Sequence, residues 1–191
     1  MHKKKSFIER LYKHFLTITT HKITVGILCF KCGLYRQGLA HDWSKYSPTE
    51  FWAGVKYFQG YRSPIDAEKE ELGMSYAWLH HKGANKHHWE YWIDKTGTLR
   101  VLNMPTPYLI ETILDRIAAA KVYNKSNYRD AISYEYFSKG TDQNYMHPKT
   151  TENIYYLLNY LKENGEIATL KYCKYLYKEY KKGNDLLNPR V

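Results

Sequence analysis

The chain has 191 residues, with 29 Lys and Arg against 19 Asp and Glu, giving a formal net charge of +10 with histidine neutral. At 43% hydrophobic and 25% charged residues it is no disordered chain, and at this length a single domain spanning 1–191 and burying roughly 70% of its unfolded surface is expected. The longest apolar run, Ile23 to Phe30, is too short to cross a bilayer, and MHKKKSFIER is followed by no cleavage site, so the expectation is a cytoplasmic protein without a membrane partner.

Helix signals run along most of the chain and strand signals are nearly absent, which predicts an all-α fold. His2 and His14 belong to a basic amphipathic beginning and are expected to face solvent, while His21 falls near an expected helix start. Val25, Leu28, Cys29, Cys32 and Tyr35 share one helical stripe, where a thiol packs as a small hydrophobe. Cys29-x-x-Cys32 has no second pair to complete a zinc knuckle, so these two and Cys173 read as structural. Ser47-Pro48-Thr49-Glu50 is a complete start signal, with a capping serine, proline at the first position and a glutamate placed to close a capping box, for a helix from Pro48 to about Phe58.

Gly60 to Pro64 reads as a turn, and Asp66 to Glu68 opens a helix running through Tyr76 to about His81, interrupted at Gly83. Asn103 to Pro107 is a loop in which Thr106 caps and Pro107 starts a helix reaching Tyr123. After a loop from Gly140 to Pro148, two helices are expected, Thr151 to Glu163 and Glu166 to Tyr180, separated at Asn164-Gly165. This Tyr- and Lys-rich end, about 150–182, suits helices closing over a core at about 10–125 better than a second domain. A basic aromatic stripe of this kind also suits single-stranded nucleic acid, a partner kept open but not favoured.

Histidine carries the chemical signal. Five of the nine histidines cluster as His41 beside Asp42, the pair His80-His81 and the pair His87-His88. Asp115 lies among Ile, Leu and Ala in a predicted helix, where a carboxylate is costly unless paired. Arg116 is one available partner; a cation held by imidazole and carboxylate together is the other, and such donors suit Zn, Mn, Fe, Ni or Mg.

In this order, His21, His41-Asp42, the histidine pairs and Asp115 resemble the H…HD…H…H…D arrangement of the HD superfamily of metal-dependent phosphohydrolases. The string Leu39 to Lys45 resembles the HD box with its trailing lysine. More narrowly, HDWSKYSPTE followed by AWLHHKGANKHHWEYW is similar to a family of short HD-like proteins that carries only a domain-of-unknown-function label. The resemblance implies a helical bundle in which His21, His41, Asp42 and Asp115 hold one divalent metal. In two-metal members the HD-box aspartate bridges, which would place His81 and His88 on a second ion, with His80 and His87 the open alternatives within each pair. Glu111 and Asn85 would orient ligands, and His147 is at most a distant support.

The implied activity is hydrolysis of a nucleotide or other small phosphorylated substrate by metal-activated water. Asp42 would position the water, and Lys45, ahead of Arg36 or Lys82, would hold phosphate. A di-iron oxygenase and a non-enzymatic nucleic-acid-binding module with a structural metal are the competing readings.

Overall fold

The computed structural model describes residues 6–189. Helix α1, Phe7–Cys32, begins where Ser6 Oγ accepts the N–H of Glu9 and ends where Gly33 turns left-handed at φ 84°, returning its N–H to the last carbonyls. A short α2, Tyr35–Ala40, then folds back against α1. Small residues make this approach possible: a methyl group on Gly38 would fall 2.9 Å from the Phe30 ring, and one on Gly26 3.3 Å from the Gly38 carbonyl oxygen. Lys22 fastens the end of α2, its Nζ donating to the carbonyls of Leu39 (2.8 Å) and His41 (2.6 Å).

Helices α3 (Pro48–Lys56), α4 (Pro64–Leu72) and α5 (Tyr76–Ala84) form a side layer, followed by a small antiparallel hairpin, β1 (Ile93–Thr96) and β2 (Thr98–Val101), with Ile93 opposite Val101. Helix α6 (Thr106–Asn124) crosses the middle, with α7 (Ile132–Lys139) and α8 (Pro148–Lys181) completing the bundle. The fold is predominantly all-α, as the sequence leads one to expect. Its core joins Val25, Leu28 and Cys29 of α1, Leu109, Ile110, Ile113 and Leu114 of α6, and Leu157, Leu158 and Leu161 of α8, all at most 2% exposed. Cys29, Cys32 and Cys173 are free thiols buried in this core.

Several local expectations are corrected. The helix expected through Tyr76 is two helices, because Gly73 (φ 75°) closes α4 and Ser75 Oγ accepts the Trp78 N–H to start α5. Gly83 lies inside the last turn of α5 and does not break it. Pro105, not Thr106, stands at the start of α6, and Thr106 Oγ1 instead donates to Asp185 Oδ1 at 2.5 Å. By contrast, the expected break at Asn164-Gly165 is present, since the non-helical Gly165 (φ 78°, ψ 169°) divides α8 into two helical segments. Tyr35 lies beyond the Gly33 stop and is 62% exposed, so it leaves the stripe that Val25 and Cys29 share. His21 sits in the middle of α1 and His14 is buried, while His2 lies outside the described residues. Helices α2 and α7 and the hairpin had no sequence signal, since segments of four to eight residues are too short to show a period. Finally, α1 has the length and hydropathy of a membrane-crossing helix, with a third of its most apolar window buried in the fold; scattered polar residues such as His21 and Lys22 conceal this from a search for unbroken apolar runs.

Candidate metal centre

Asp42 is the hub. It follows α2 in a left-handed conformation (φ 53°, ψ 25°), uncommon outside glycine but tolerated by Asp, and this turn aims its carboxylate into the protein. The group is 1% exposed. Its Oδ2 lies 3.4 Å from His21 Nε2, 3.4 Å from His41 Nε2 and 2.5 Å from Lys45 Nζ. Its Oδ1 faces the other way, 3.4 Å from His81 Nε2 and 3.5 Å from His87 Nε2. Each oxygen therefore serves a different set of imidazoles.

Two groups of donors result, sharing Asp42. In one, single donor atoms of His21, His41, Asp42 and Asp115 all lie within 4.8 Å of one another; in the other, those of Asp42, His81, His87 and His88 do. Asp115 Oδ1 is 2.9 Å from His21 Nε2 and 3.5 Å from His41 Nε2. Among the described residues, the Nε2 atoms of His21, His41, His87 and His88 and Asp42 Oδ1 are buried without a hydrogen-bond partner.

The opposite edges of the His41, His87 and His81 rings are, by contrast, anchored. His41 Nδ1 donates to Glu111 Oε1 at 2.9 Å, and His87 Nδ1 lies 3.3 Å from the same oxygen. His81 Nδ1 donates to Glu50 Oε2 at 2.8 Å, and His80 Nδ1 to Glu50 Oε1 at 2.7 Å. Carboxylates holding Nδ1 fix the tautomer that presents Nε2 as a ligand. Asn85 ties the segment together, donating to Ser44 Oγ and to the His81 carbonyl, both at 2.8 Å. Thr112 Oγ1 of α6 donates to the His87 carbonyl at 2.5 Å, which seats the His87-His88 turn over α6.

Charge supports a cation. Asp42, Glu50, Glu111 and Asp115 converge while Lys45 is the fixed cation paired to Asp42, so neutral histidines would leave the cluster strongly negative. Burial alone would raise the Asp42 carboxyl, but the charges of His41, Lys45 and His81 hold it well below the usual range. Asp115 behaves alike: burial opposes ionisation, and contacts with His21 and His41 outweigh it. Burial, reinforced by the charges of His87 and His81, pushes His88 well below an ordinary imidazole, keeping it neutral. The ionised carboxylates and the neutral His88 suit a metal, whereas His41, which burial would lower, is held well above an ordinary imidazole by the charge of Asp42 and its bonds to Asp115 and Glu111, so its proton must leave when a cation binds.

The structure thus brings together His21, His41, Asp42, Asp115, Lys45, His81 and His88. Arg116 does not pair with Asp115: its guanidinium lies over the Phe137 ring, 4.9 Å from the centroid. Arg36 is exposed on α2 away from the cluster, and Lys82 does not line the cavity that opens from it. His147 caps α8, accepting the Lys149 N–H at 3.2 Å. His81 and His88 do not share a helix face, because α5 ends at Ala84 and the chain turns. Glu50 was assigned only to a capping box; it is 6% exposed and turned to His80 and His81 instead of its own helix start. A glutamate in a first turn carries no mark that distinguishes these two uses. The adjoining cavity, about 600 Å³, reaches from His14, Phe58 and Tyr123 past the cluster to Glu90 and Arg116.

The profile of a family described as "Family of unknown function (DUF5662)" matches residues 10–160. No curated protein and no solved structure matches the chain.

Proposed function

Because the chain belongs to DUF5662, whose description names no reaction, we propose its function from the site itself: a metal-dependent phosphohydrolase acting on a nucleotide or other small phosphorylated substrate. One observation carries the reading. Four imidazole Nε2 atoms and Asp42 Oδ1 are buried together without a hydrogen-bond partner among the described residues, while Asp42 Oδ2 meets Lys45 Nζ, a cost of several kcal/mol unless a cation takes up the remaining lone pairs. The order of these residues along the chain, which resembles the HD superfamily, supports the assignment.

His21, His41, Asp42 and Asp115 would hold one divalent ion of the Mn, Fe, Zn, Ni or Mg class, and Asp42, His81, His87 and His88 a second. Bound there, the metal supplies a Lewis acid and a water acidified toward neutral pH. The chain's own residues do the rest. Glu111 and Glu50 keep the imidazoles in register. Asp42 orients the water and accepts its hydrogen bond. Lys45 is about a quarter exposed and lines the cavity, so its ammonium can pair with a phosphate oxygen while remaining beside Asp42. A cavity of about 600 Å³ admits a nucleotide-sized ester.

Metal analysis of protein purified without chelator, followed by a screen of phosphomonoesters, phosphodiesters and nucleotides, tests this. Metal near or above about one equivalent per chain is expected, lost in His41→Ala and reduced by about one equivalent in His81→Ala or His88→Ala. Turnover should follow metal content. Metal-free protein, or turnover undiminished in His41→Ala, would sink the proposal. An iron-loaded, coloured preparation that consumes oxygen and leaves phosphate esters intact would favour the di-iron oxygenase, which the same surplus of imidazoles also suits.

A further inference from the structure

The face of α1 turned away from the core carries apolar side chains that the described chain leaves largely exposed, α2 meeting this face at Gly26 and Tyr46 meeting it at Thr19 and Phe15. At about 100° per residue, Ile8, Tyr12, Phe15, Ile23, Ile27 and Phe30 fall within an arc of roughly 120°, while His14, His21 and Val25 point inward from the other side. Those six side chains are 43–75% exposed. The surface continues past the helix, with Tyr35, Leu39 and Trp43 at 62, 68 and 69% exposure. Contacts show the continuity: the Tyr35 and Phe30 rings are 5.5 Å apart, and Lys22 Nζ, at the edge of the arc, lies 5.1 Å from the Trp43 ring.

Side chains of this size expose roughly 200 Å² each when free, so these nine leave on the order of 1,000 Å² bare. The largest apolar patch on a typical monomer is about 300–600 Å², whereas a stable interface covers about 800 Å² per partner. Between Tyr12 and Phe30 the arc holds no charged side chain. Lys13 pairs with Glu9 on the flank at 2.7 Å, and Lys22 is committed to the carbonyls of Leu39 and His41. A charge-free, aromatic-rich centre is the composition of an interface between proteins. A helix lying in a membrane surface instead needs a free cationic face opposite its apolar one, and here that opposite face is buried in the protein's own core.

We infer that the chain forms a two-fold dimer through this face of α1 and the adjoining Tyr35, Leu39 and Trp43, the occupant being a second copy of the same patch. The reverse side of α1 carries His21, and α2 delivers His41 and Asp42, so the dimer clamps two of the three elements that supply the first group of donors, α6 carrying Asp115.

Sedimentation velocity on the full chain tests this. The wild type should sediment with the mass of two chains, and Ile23→Glu/Ile27→Glu with half that mass, at unchanged helicity and metal content. Trp43→Glu, a single change at a well exposed position, should weaken the dimer independently and guards against misfolding of the double variant. A wild type of single-chain mass at every concentration, or a dimer that survives both variants, overturns the inference. A single chain that pellets with vesicles containing anionic lipid would assign the face to a membrane instead.

Discussion

Glu111 serves two imidazoles from one oxygen, lying 2.9 Å from His41 Nδ1 and 3.3 Å from His87 Nδ1. These rings belong to different donor groups, so Glu111 couples both. Glu111→Gln is nearly isosteric but loses the charge that fixes both tautomers, and metal affinity should fall roughly 10- to 100-fold with helicity unchanged. Competition against a calibrated chelator measures this; equal affinity in the variant would remove Glu111 from the site. His14 is a separate case. Burial, helped by the charge of Lys45, pushes it down to about 4. The fold thus favours neutral His14, and the unfolded chain takes up a proton near pH 6.5 that the folded chain takes up only near 4. The stability this contributes is complete above about pH 6.5 and is lost as pH falls toward 4, on the order of 3 kcal/mol in all. Urea unfolding at pH 7 and 4.5 should show a smaller difference for His14→Leu than for the wild type; equal differences would contradict the assignment.

In α3 the same histidine reverses an ordinary rule about helices. Gly54 lies inside α3, where replacing Gly by Ala is worth about 1 kcal/mol of helix propensity. A methyl group there would overlap the His14 ring, and overpacking costs about 1–3 kcal/mol, so packing wins. Gly54→Ala should lower the melting temperature by a few degrees, about 2–4 °C per kcal/mol for a chain of this size. In a His14→Ala background the same change should be neutral or stabilising, which a double-mutant cycle resolves. A fall of equal size in both backgrounds would place the cause elsewhere. The contact matters beyond stability, because α3 carries Glu50, and through it the position of His80 and His81.

At the scale of the molecule, α8 determines whether the centre has a foundation. Ile154, Leu157, Leu158, Leu161 and Leu176 are at most 1% exposed and belong to one cluster with Ile110, Ile113 and Leu114 of α6, the helix that also carries Glu111 and Asp115. Each such side chain contributes about 1.5–3 kcal/mol by burial, so the five together are comparable to the whole net stability of a typical domain, about 5–15 kcal/mol. Removing residues 150–191 should therefore give insoluble protein, or soluble protein with a sharply lower melting temperature and no bound metal. A soluble truncation with an unchanged melting temperature would show α8 to be a detachable arm.

That His21, His41, Asp42 and Asp115 belong together was legible through their order along the chain, which resembles that of the HD superfamily; the residue types and the apolar setting of Asp115 are local properties that a sequence displays directly. Helix starts at Ser47 and a break at Gly165 were legible for the same reason: caps and left-handed glycines act within a few residues. Tertiary structure decided whatever depends on which way a side chain points. Glu50 could have closed its own helix start, yet it turns to His80 and His81. His87 enters the cluster with His88, because Asn85 ends the helix that a seven-residue spacing assumes. His14, expected in solvent, is buried where α1 meets Gly54, and Arg116 lies on Phe137, leaving its neighbour Asp115 to the histidines. In each case the choice between partners was made by packing between elements distant in sequence, which no local pattern records.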